Sequence, residues 1–311
     1  MINKKSKIYV AGHNGLIGSA ILRKLKSQNY KNVIFRTKKQ LDLREQEKTY
    51  NFLRNEKPEA VIIAAAKVGG IKANNERKAE FIFDNLSIQN NLINGSYKAG
   101  VKNLIFLGSS CVYPKNCKQP IKEEYLLSNY LEKTNEPYAI AKIAGISLCS
   151  SYNYQYNLNY KCLMPCNSYG INDNYDTNSS HFFPALIKKI FFAVLNNEDH
   201  ISIWGTGKPM RELIISDDVA DACIFFLKKK TKETLINIGS GKEKSIDDYA
   251  KFIINYLNVN LKIKHEISKP DGTFKKLLNN NLAKRYGWKA KTSLEEGIGI
   301  AVKDFIKSSF K

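Results

Sequence analysis

The sequence lacks the long apolar run that a membrane-spanning helix requires. Its longest apolar runs, such as AVIIAAA at residues 60–66, are far shorter than the roughly 20 residues needed to cross a bilayer. The N-terminus, MINKKSKIYV, passes from polar residues directly into a strand-like segment and has no signal-peptide core or cleavage site. These absences predict a cytoplasmic protein with no membrane partner.

Cysteine pairs at metal-binding spacing are also missing. The chain has six cysteines, and no two of them form a CxxC pair. In a reducing compartment they are expected to be free thiols, most of them serving as small buried hydrophobic residues. We therefore expect no metal site. The six are Cys111, Cys117, Cys149, Cys162, Cys166 and Cys223.

Acidic residues are scarce relative to basic ones. The chain has 49 lysines and arginines against 29 aspartates and glutamates, for a formal net charge of +20. Such an excess can indicate nucleic-acid binding. However, the lysines are scattered, with only short clusters such as KKK at residues 228–230, and no RNA-binding aromatic motif accompanies them. We therefore expect no nucleic-acid partner, while a positive field also favours an anionic small-molecule ligand.

Short apolar runs alternate with helical patterns through the first half of the chain. The strand-like runs are KIYVAG, NVIFRT, EAVIIAAA, NLIFLGS and YKCLMP, and LIGSAILRKLKSQN after the first has apolar residues at helical spacing. Because the runs are continuously apolar, helices should cover both faces of the sheet. The pattern predicts an α/β fold with a doubly wound parallel sheet of the Rossmann type.

The character of the sequence changes after about residue 165. The polar, loop-like stretch NSYGINDNYDTNSSH precedes shorter elements, among them a helix from Pro184, the strand ISIW and a helix capped by Ser245. We expect a dinucleotide-binding domain over residues 1–165 and a smaller α/β substrate lobe over residues 166–311. A segment near residues 212–240 should return to the first sheet.

Three glycines follow the first predicted strand and open the first helix. Gly12, Gly15 and Gly18 have GxxGxxG spacing, which is a variant of the dinucleotide fingerprint. Glycine permits a tight turn and close approach of a pyrophosphate, and the helix N-terminus supplies free N–H groups. Between a strand and a helix, this motif predicts a bound dinucleotide.

The end of the second strand indicates which dinucleotide binds. Proteins that bind NAD place an acidic residue there for the ribose 2′-OH, whereas this chain has Arg36, followed by Lys38 and Lys39. An arginine at this place favours the 2′-phosphate of NADP(H). Asp42 lies a few residues further on, where it could contact the adenine or act as an N-cap or loop residue.

The fourth strand and the next helix carry side chains that can handle protons. Ser109, Ser110 and Cys111 follow the carboxyl end of the strand, where ligands bind in open α/β sheets. Tyr138 and Lys142 lie four residues apart on one helix face. Together with the glycine loop, this set predicts catalysis. The lysine charge should lower the pKa of Tyr138, and a serine hydroxyl should orient a carbonyl.

The glycine loop, the strand-end serine and the tyrosine–lysine helix resemble those of the extended short-chain dehydrogenase/reductases that act on nucleotide sugars. AAAKVGGI, LGSSCVYPK, EKTNEPYAIAKIAG, WGTGKPMRE and SKPDGT resemble, in the same order, the motifs of one branch of that family. The resemblance extends from about residue 7 to the last helix. It implies NADPH-dependent conversion of GDP-4-keto-6-deoxy-D-mannose to GDP-L-fucose, by epimerisation at C3 and C5 and reduction at C4.

The resemblance also implies roles for individual residues. Cys111 and His181 would exchange protons at C3 and C5, because a C4 ketone acidifies the hydrogens on both neighbouring carbons. Tyr138 and Ser109 would stabilise the enolate oxygen, and Tyr138 would give a proton during reduction. Lys142 would bind the nicotinamide ribose. A homodimer paired through two long helices of the dinucleotide-binding domain is also implied.

Binding positions of the family fall on two further sets of residues. Lys189, Trp204, Arg211 and Asp271 match positions that contact the GDP-sugar. The positions implied to contact the dinucleotide are Gly12, His13, Asn14, Gly15, Leu16, Ile17, Gly18, Arg36, Asp42, Leu107, Gly108, Ser109, Ser110, Lys142, Pro165, Cys166, Asn167, Ser168 and His181.

Two positions depart from the family pattern. Lys189 stands where relatives have arginine, which keeps the charge but loses the bidentate fork. Asn14 stands where relatives often have arginine, which leaves Arg36 as the main determinant of NADP binding.

Two alternative functions are another nucleotide-sugar epimerase, reductase or dehydratase, and a non-catalytic dinucleotide-binding protein. No carboxylate follows Ser109, unlike in the dehydratases of the family. The serine, tyrosine and lysine are all present, which argues against a non-catalytic protein.

Overall fold

A parallel sheet forms the centre of the first lobe. The computed structural model describes residues 2–176, 179–269, 271 and 273–309. Within them the sheet has six strands: β1 (Ile8–Ala11), β2 (Val33–Ile34), β3 (Ala60–Ile63), β4 (Asn103–Leu107), β5 (Asn159–Pro165) and β9 (Leu235–Ile238). Their order is β2-β1-β3-β4-β5-β9, so the chain reverses direction across the sheet between β1 and β3. Ligands of open α/β sheets bind outside the carboxyl ends of the strands at such a switch point.

Helices cover both faces of this sheet. They are α1 (Leu16–Ser27), α2 (Gln46–Glu56), α4 (Lys78–Lys98), α5 (Glu136–Tyr156) and α7 (Ser216–Lys228), and the short α3 (Ile71–Glu76) packs against α4. α1 packs against α7, and α4 packs between α2 and α5. α5 has Pro137 in its first turn and stops at Asn157, whose φ of 52° is left-handed. These ends fix the direction in which α5 crosses the sheet.

The second lobe is built from short strands and three helices of the described residues. β6 (Asn167–Tyr169), β8 (Met210–Ile215) and β10 (Glu243–Ser245) form a sheet in the order β10-β8-β6, and β7 (His200–Trp204) pairs with β11 (Lys262–Glu266). The helices are α6 (Phe182–Leu195), α8 (Ile246–Tyr256) and α10 (Leu294–Ser309), whereas the short α9 (Asn281–Arg285) packs against β9 in the core of the first lobe. This lobe stands over the carboxyl ends of the first sheet, because β5 runs directly into β6.

Each lobe has a hydrophobic core of its own. Ile62, Ile105 and Leu163, on three neighbouring strands of the six-stranded sheet, are fully buried in the first core. The second core includes Ile190 from α6 and Ile253 from α8. Burying such side chains is the main stabilising contribution to each lobe, on the order of 2 kcal/mol for each large apolar residue.

The predicted fold class is confirmed, with differences in detail. The first five predicted strands are present, although β2 is only two residues long. Ser245 caps α8 and forms a capping box with Asp248, as predicted. The stretch predicted as a loop after Pro165 begins with a strand, because the polar segment of β6 pairs in parallel with β8. Thr177 and Asn178 of that stretch, and Pro270 and Gly272 of SKPDGT, lie outside the described residues.

The segment near residues 212–240 divides between the two lobes. α7 packs on α1 and β9 pairs with β5, so this part lies with the first sheet. β8, which precedes α7, belongs to the small sheet of the second lobe. The domain limits of residues 1–165 and 166–311 stay a prediction.

Candidate active site

The glycine loop forms a backbone cradle at the N-terminus of α1. Gly12 has a φ of +85°, and a Cβ there would lie 2.5 Å from the Ala65 nitrogen. A Cβ on Gly18 would lie 1.9 Å from the Gly12 carbonyl oxygen, so both positions require glycine. A Cβ on Gly15 would meet its nearest neighbour at 3.6 Å, so this residue is open outward.

No side chain caps the N-terminus of α1 within the described part of the chain. Gly15 is the N-cap, Leu16 and Ile17 begin the helix, and the first turn has no acidic residue. Its N–H groups and the helix dipole are thus directed at the space above the glycine loop, which suits an anion such as a pyrophosphate. His13 packs against Phe35, and burial lowers the pKa of the imidazole. Asn14 is exposed.

Arg36 and Asp42, the two residues predicted to lie near the adenosine of the cofactor, both form contacts with other protein side chains. Arg36 donates to Glu56 at 2.7 Å and to the Phe35 carbonyl at 2.8 Å, with its guanidinium 5.0 Å from the centre of the Phe52 ring. Glu56 is the last residue of α2, and a nearby Lys7 also contacts it. The Arg36 guanidinium thus lies against the last residue of α2, and its contact with the 2′-phosphate stays a prediction.

Asp42 also forms hydrogen bonds within the protein. Its carboxylate accepts hydrogen bonds from the Arg44 guanidinium at 2.6 and 3.0 Å, and these hold the pKa of Asp42 below its usual range. Arg44 reaches on to Asp84 of α4 at 3.2 Å. This bridge attaches the loop after β2 to α4, and an adenine contact by Asp42 would have to coexist with it.

Lys142 of α5 lies beneath the end of β4. Its Nζ donates to the Leu107 carbonyl at 2.8 Å and lies 4.6 Å from the centre of the Phe106 ring and 5.9 Å from that of Tyr138. Only 3% of the residue is exposed, and burial lowers the pKa of its amine to about 7. Gly108, next in the chain, donates its N–H to the Leu163 carbonyl of β5.

Tyr138, Ser109 and Cys111 lie together above Lys142. Tyr138 is 9% exposed, and burial raises its pKa; the nearby Cys111 adds to this, while a hydrogen bond with Ser109 opposes it. The predicted lowering of the Tyr138 pKa is wrong for this arrangement, because burial is the largest effect on the tyrosine and raises its pKa. The Ser109 hydroxyl also accepts the Cys111 N–H at 3.2 Å, which fixes the turn after β4, where Ser110 is buried.

Cys111 also faces the second lobe. Burial lowers the pKa of the Arg211 guanidinium on β8, and the nearby Asp271 and Cys111 oppose that lowering. Arg211 donates from Nη1 to the carbonyls of Met210 at 2.7 Å and Thr273 at 2.6 Å. No carboxylate of the described residues forms an ion pair with it. The thiol therefore lies between the tyrosine of one lobe and a cation of the other.

A pair of glycines after β3 brings His181 to this cleft. The Gly70 N–H donates to the Ser179 carbonyl at 3.0 Å, and a Cβ on Gly70 would lie 2.9 Å from the Ser180 oxygen. Phe81, beside Gly69, has its ring centre 6.4 Å from that of Tyr138. The sequence predicted no role for this VGG segment, although two consecutive glycines are a signal that another part of the backbone approaches closely.

His181 itself is the N-cap residue of α6. The residue is exposed at the wall of the cleft. The protein around the imidazole still displaces much of its hydration, and this desolvation lowers the pKa of His181. A mainly neutral imidazole at physiological pH can both accept and donate a proton.

The segment after β5 completes the floor of the cleft. Pro165 ends β5, and the buried Cys166 donates its N–H to the Ile238 carbonyl at 3.0 Å. Ser168 donates to the Cys166 carbonyl at 3.3 Å, and the half-buried Asn167 lies between them. These residues are held at the carboxyl edge, beside β4.

A contact between the lobes was missed from the sequence. Asn172, in the loop after β6, has a left-handed φ of 69° and donates from Nδ2 to the Asn14 carbonyl of the glycine loop at 2.6 Å. The Asp304 carboxylate of α10 accepts the Asn172 N–H at 2.8 Å. An asparagine in a polar GINDN stretch signals a turn, but not the partner of its side chain.

The predicted substrate residues gather around the end of β7. Trp204 is 57% exposed, with the Lys269 ammonium 5.5 Å from its ring centre. Lys189 donates to the Ser202 carbonyl of β7 at 2.8 Å. Asp271 accepts from the Thr206 N–H at 2.9 Å and its hydroxyl at 2.7 Å, which tethers it to the turn after Trp204. Lys189, Trp204 and Asp271 thus surround one turn, and Arg211 is linked to it through Thr273.

Two further findings concern the described residues as a whole. No helix among them is long and apolar enough to cross a membrane. No group of three or more histidine, cysteine or acidic side chains in the described ranges is arranged to hold a metal ion.

Comparisons with known proteins agree with this geometry. The model of the NAD dependent epimerase/dehydratase family matches residues 8–239. A GDP-L-fucose synthase of Sinorhizobium fredii is 48% identical over 302 residues, covering 97% of this chain and 96% of that protein. A GDP-L-fucose synthase of Escherichia coli is 41% identical, covering 98% of each chain.

A solved structure shows the same arrangement of the whole chain. The GDP-L-fucose synthetase of Naegleria fowleri bound to NADP superimposes with a TM-score of 0.92 at 29% identity, covering 100% of this chain and 96% of that one. A family match over most of the chain, with the glycine cradle and the Ser109, Tyr138 and Lys142 cluster, leads to one conclusion. The chain belongs to the NAD dependent epimerase/dehydratase family.

Proposed function

We propose that this protein is a GDP-L-fucose synthase, which converts GDP-4-keto-6-deoxy-D-mannose to GDP-L-fucose with NADPH. The proposal rests on Cys111, whose N–H donates to Ser109 and whose side chain is near both Tyr138 and Arg211, and on the Gly70 contact that brings the segment before His181 to the same cleft. A simple dehydrogenase has no need for a thiol and an imidazole at its carbonyl site. The bacterial relatives with this name support the same substrate.

The cofactor fits the residues present. The open backbone at Gly15 and the uncapped first turn of α1 suit a pyrophosphate, and the NADP-bound relative supports the phosphorylated dinucleotide. Arg36, Lys38 and Lys39 supply positive charge after β2. For Arg36 to meet a 2′-phosphate, its guanidinium would have to leave Glu56 or be shared with it. When bound, the cofactor supplies the hydride for C4.

Epimerisation requires a proton to leave one face of a carbon and another to return to the opposite face. The C4 ketone acidifies the C3 hydrogen, and removal of that proton gives an enolate whose oxygen accepts hydrogen bonds from Tyr138 and Ser109. Cys111 and His181 act as the acid–base pair, one taking the proton and the other returning one. The same exchange at C5 completes the epimerisation, with no net change in oxidation state.

Reduction at C4 needs a proton on the oxygen. Burial keeps Tyr138 protonated at neutral pH, so its hydroxyl can donate to the C4 oxygen and then transfer its proton there. Lys142, held on the Leu107 carbonyl, is placed to bind the nicotinamide ribose and to compensate the tyrosinate that forms. The raised tyrosine pKa makes this residue a donor in the resting protein rather than a base.

The second lobe would hold the nucleotide. The Arg211 guanidinium has further N–H groups beyond the Nη1 atom that bonds two carbonyls, and it can bind a diphosphate oxygen. Lys189 offers a point charge to the same group, and the exposed Trp204 ring offers an apolar face. Asp271 would contact the sugar or base while keeping the turn after Trp204 in place.

The decisive test is nicotinamide absorbance with purified protein, NADPH and GDP-4-keto-6-deoxy-D-mannose. We expect NADPH consumption and a product identical to GDP-L-fucose by NMR. In D2O, the product should carry deuterium at both C3 and C5. No loss of absorbance with NADPH or NADH would overturn the assignment.

Substitution of Cys111 tests the division of labour. Cys111→Ser should slow deuterium incorporation by at least 100-fold and release a C4-reduced sugar that is not epimerised. Cys117→Ser, which changes another half-buried thiol, is the matched control and should match the wild type. Normal epimerisation by the Cys111 variant would remove the thiol from the mechanism.

The preference for NADPH is tested at Arg36. We expect Arg36→Ala to lower the ratio of kcat/KM for NADPH to that for NADH by at least tenfold, because a charged contact to the 2′-phosphate is lost. An unchanged ratio would assign the phosphate to the exposed Lys38 and Lys39 instead.

The assembly, location and domain limits are part of this proposal. α4 and α5 pack together and expose Phe83 and Ile140, which suits pairing of two chains in a homodimer. Light scattering should give twice the 35.4 kDa chain mass, and Phe83→Glu should reduce the measured mass to that of one chain.

The cytoplasm, where NADPH and nucleotide sugars meet, is the proposed compartment. We keep a dinucleotide-binding domain over residues 1–165 and a substrate lobe over residues 166–311 as the proposed division, with later segments such as α7 and β9 returning to the core of the first lobe.

A further inference from the structure

The amino edge of the six-stranded sheet carries much of the unexplained positive charge. All six strands are parallel, so the segments that lead into them lie along one edge, opposite the cleft. Ten lysines of those segments are exposed among the described residues, against two exposed acidic residues, Glu59 and Glu233. We call them the amino-edge lysines: Lys4, Lys5, Lys31, Lys57, Lys98, Lys102, Lys228, Lys229, Lys230 and Lys232.

Contacts between neighbouring segments make these lysines one surface. The Lys31 N–H donates to the Lys4 carbonyl at 3.1 Å, and the Asn159 N–H donates to the Lys102 carbonyl at 2.9 Å. The Lys228 ammonium lies 5.1 Å from the centre of the Tyr30 ring, which joins the end of α7 to the segment before β2. At about 4.8 Å between strands, the row extends roughly 25 Å.

Helix dipoles account for only part of this row. α2, α4 and α7 end at this edge, and cations there stabilise the helix C-termini, which explains lysines such as Lys57, Lys98 and Lys228. Lys4, Lys5 and others of the row lie outside helices. Within the described residues, none of the ten forms an ion pair, so their charge is available to a partner.

The one segment without a lysine is occupied by tyrosines. α5 leads into β5 and ends with Tyr154, which is 95% exposed, and Tyr156, which is 40% exposed. Tyr154 lies on the same helix face as Ile140, which the proposed homodimer covers, so Tyr156 is the ring that stays beside the lysines in a dimer. Tyr156 stacks on Tyr97 at the end of α4, with ring centres 4.3 Å apart. Amphipathic rings beside lysines are typical of surfaces that meet the headgroup region of a bilayer.

We propose that the amino edge docks on an anionic lipid bilayer. Lysines are strongly hydrated point charges suited to a diffuse negative surface, whereas recognition of individual nucleic-acid phosphates favours the arginine fork, and Arg54, in the last turn of α2, is the one exposed arginine beside the ten lysines among the described residues of these segments. Single-strand binding also needs aromatic rings interleaved with cations along a track, whereas these tyrosines lie at one place. Docked this way, the catalytic cleft faces away from the membrane. The proposal departs from the expectation of no membrane partner, which rested on spanning segments.

The test is flotation of the full-length protein with lipid vesicles over a salt series. We expect binding to vesicles of 30 mol% phosphatidylglycerol in phosphatidylcholine at 50 mM salt, loss of binding by 500 mM, and none to pure phosphatidylcholine. No binding to the anionic vesicles at 50 mM salt would overturn the proposal. The proposal would also be overturned if the protein bound a 20-nucleotide RNA at 150 mM salt but did not bind the vesicles. That result would assign the edge to nucleic acid.

Two charge-matched variants locate the surface. Replacement of Lys228, Lys229 and Lys230 by glutamine should weaken vesicle binding by at least tenfold, since each lysine near an anionic surface contributes about fivefold. The control replaces three exposed lysines of the second lobe, Lys251, Lys303 and Lys307, by glutamine and should stay within twofold of wild type. Equal losses in both variants would mean that net charge alone binds, and would overturn the amino-edge assignment.

Discussion

Asp173, in the loop that joins the two lobes, should make the stability of the protein depend on pH. It accepts a hydrogen bond from the Asn174 N–H at 2.7 Å, and the carboxylate of Asp304 on α10 acts on it as a like charge. Burial is the larger effect and raises the pKa of Asp173 from 3.8 to about 7. Tyr175, whose hydroxyl donates to the Ala301 carbonyl at 3.1 Å, lies beside the two acids.

The direction of the effect follows from the raised pKa. The native state holds the Asp173 proton more tightly than the unfolded chain, so this group stabilises the fold fully below pH 3.8 and loses that contribution as the pH rises to about 7. The difference between the two pKa values corresponds to about 4 kcal/mol at most. Partial solvent access and relaxation should reduce the part lost between pH 5 and pH 8 to roughly 1–2 kcal/mol.

Asp173→Asn removes the charge and keeps the shape and an acceptor oxygen. We expect urea unfolding, followed by tryptophan fluorescence, to show the variant gaining roughly 1–2 kcal/mol over wild type on going from pH 5 to pH 8. Glu47→Gln, an acid-to-amide change at an exposed position of α2, is the control and should show no such trend. A gain that is equal at both pH values, or that shrinks as the pH rises, would refute the reasoning.

Three other substitutions test the cleft. Gly18→Ala would place a methyl 1.9 Å from the Gly12 carbonyl, so we expect a loss of at least ~2 kcal/mol in urea unfolding and no detectable NADPH fluorescence enhancement. Lys142→Met should lower kcat at least 100-fold, while circular dichroism shows a folded protein. Asn172→Gly keeps the left-handed turn but removes the donor to Asn14, so NADPH should bind several-fold more weakly in a fluorescence titration, with kcat little changed. Unchanged values would contradict each of these.

The fold was predictable from the sequence where local pattern and tertiary environment agree. β3, β4 and β5 are continuously apolar because helices cover both faces of the sheet, so each strand is visible in its own residues. β6 is polar and owes its strand conformation to pairing with β8, more than 40 residues away, so no local pattern predicted it.

The site was predictable as a set of residues but not as a set of contacts. The glycine loop and the Tyr138–Lys142 spacing indicate chemistry through residue type and position alone. The partner of Lys142, the Leu107 carbonyl, is 35 residues away, and that of Arg36, Glu56, is 20 residues away. No local pattern predicts that the Leu107 carbonyl holds the Lys142 ammonium, or that Glu56 holds the Arg36 guanidinium at the end of α2.

Because the strands are parallel, the catalytic residues and the amino-edge lysines lie at opposite edges of the sheet, so the two can be tested separately. Ser109 and Cys111 follow the carboxyl end of β4, and the first turns of α5 bring Tyr138 and Lys142 to the same edge, while the amino-edge lysines lie at the opposite edge, roughly 15–20 Å away along strands of four to seven residues. At physiological salt, that distance exceeds the ~8 Å over which charges act through solvent. Glutamine at residues 228–230 should therefore weaken vesicle binding at least tenfold and leave kcat and KM for NADPH unchanged. A fall in both would show that the two edges are coupled, for instance through α7, which packs against α1 behind the glycine loop.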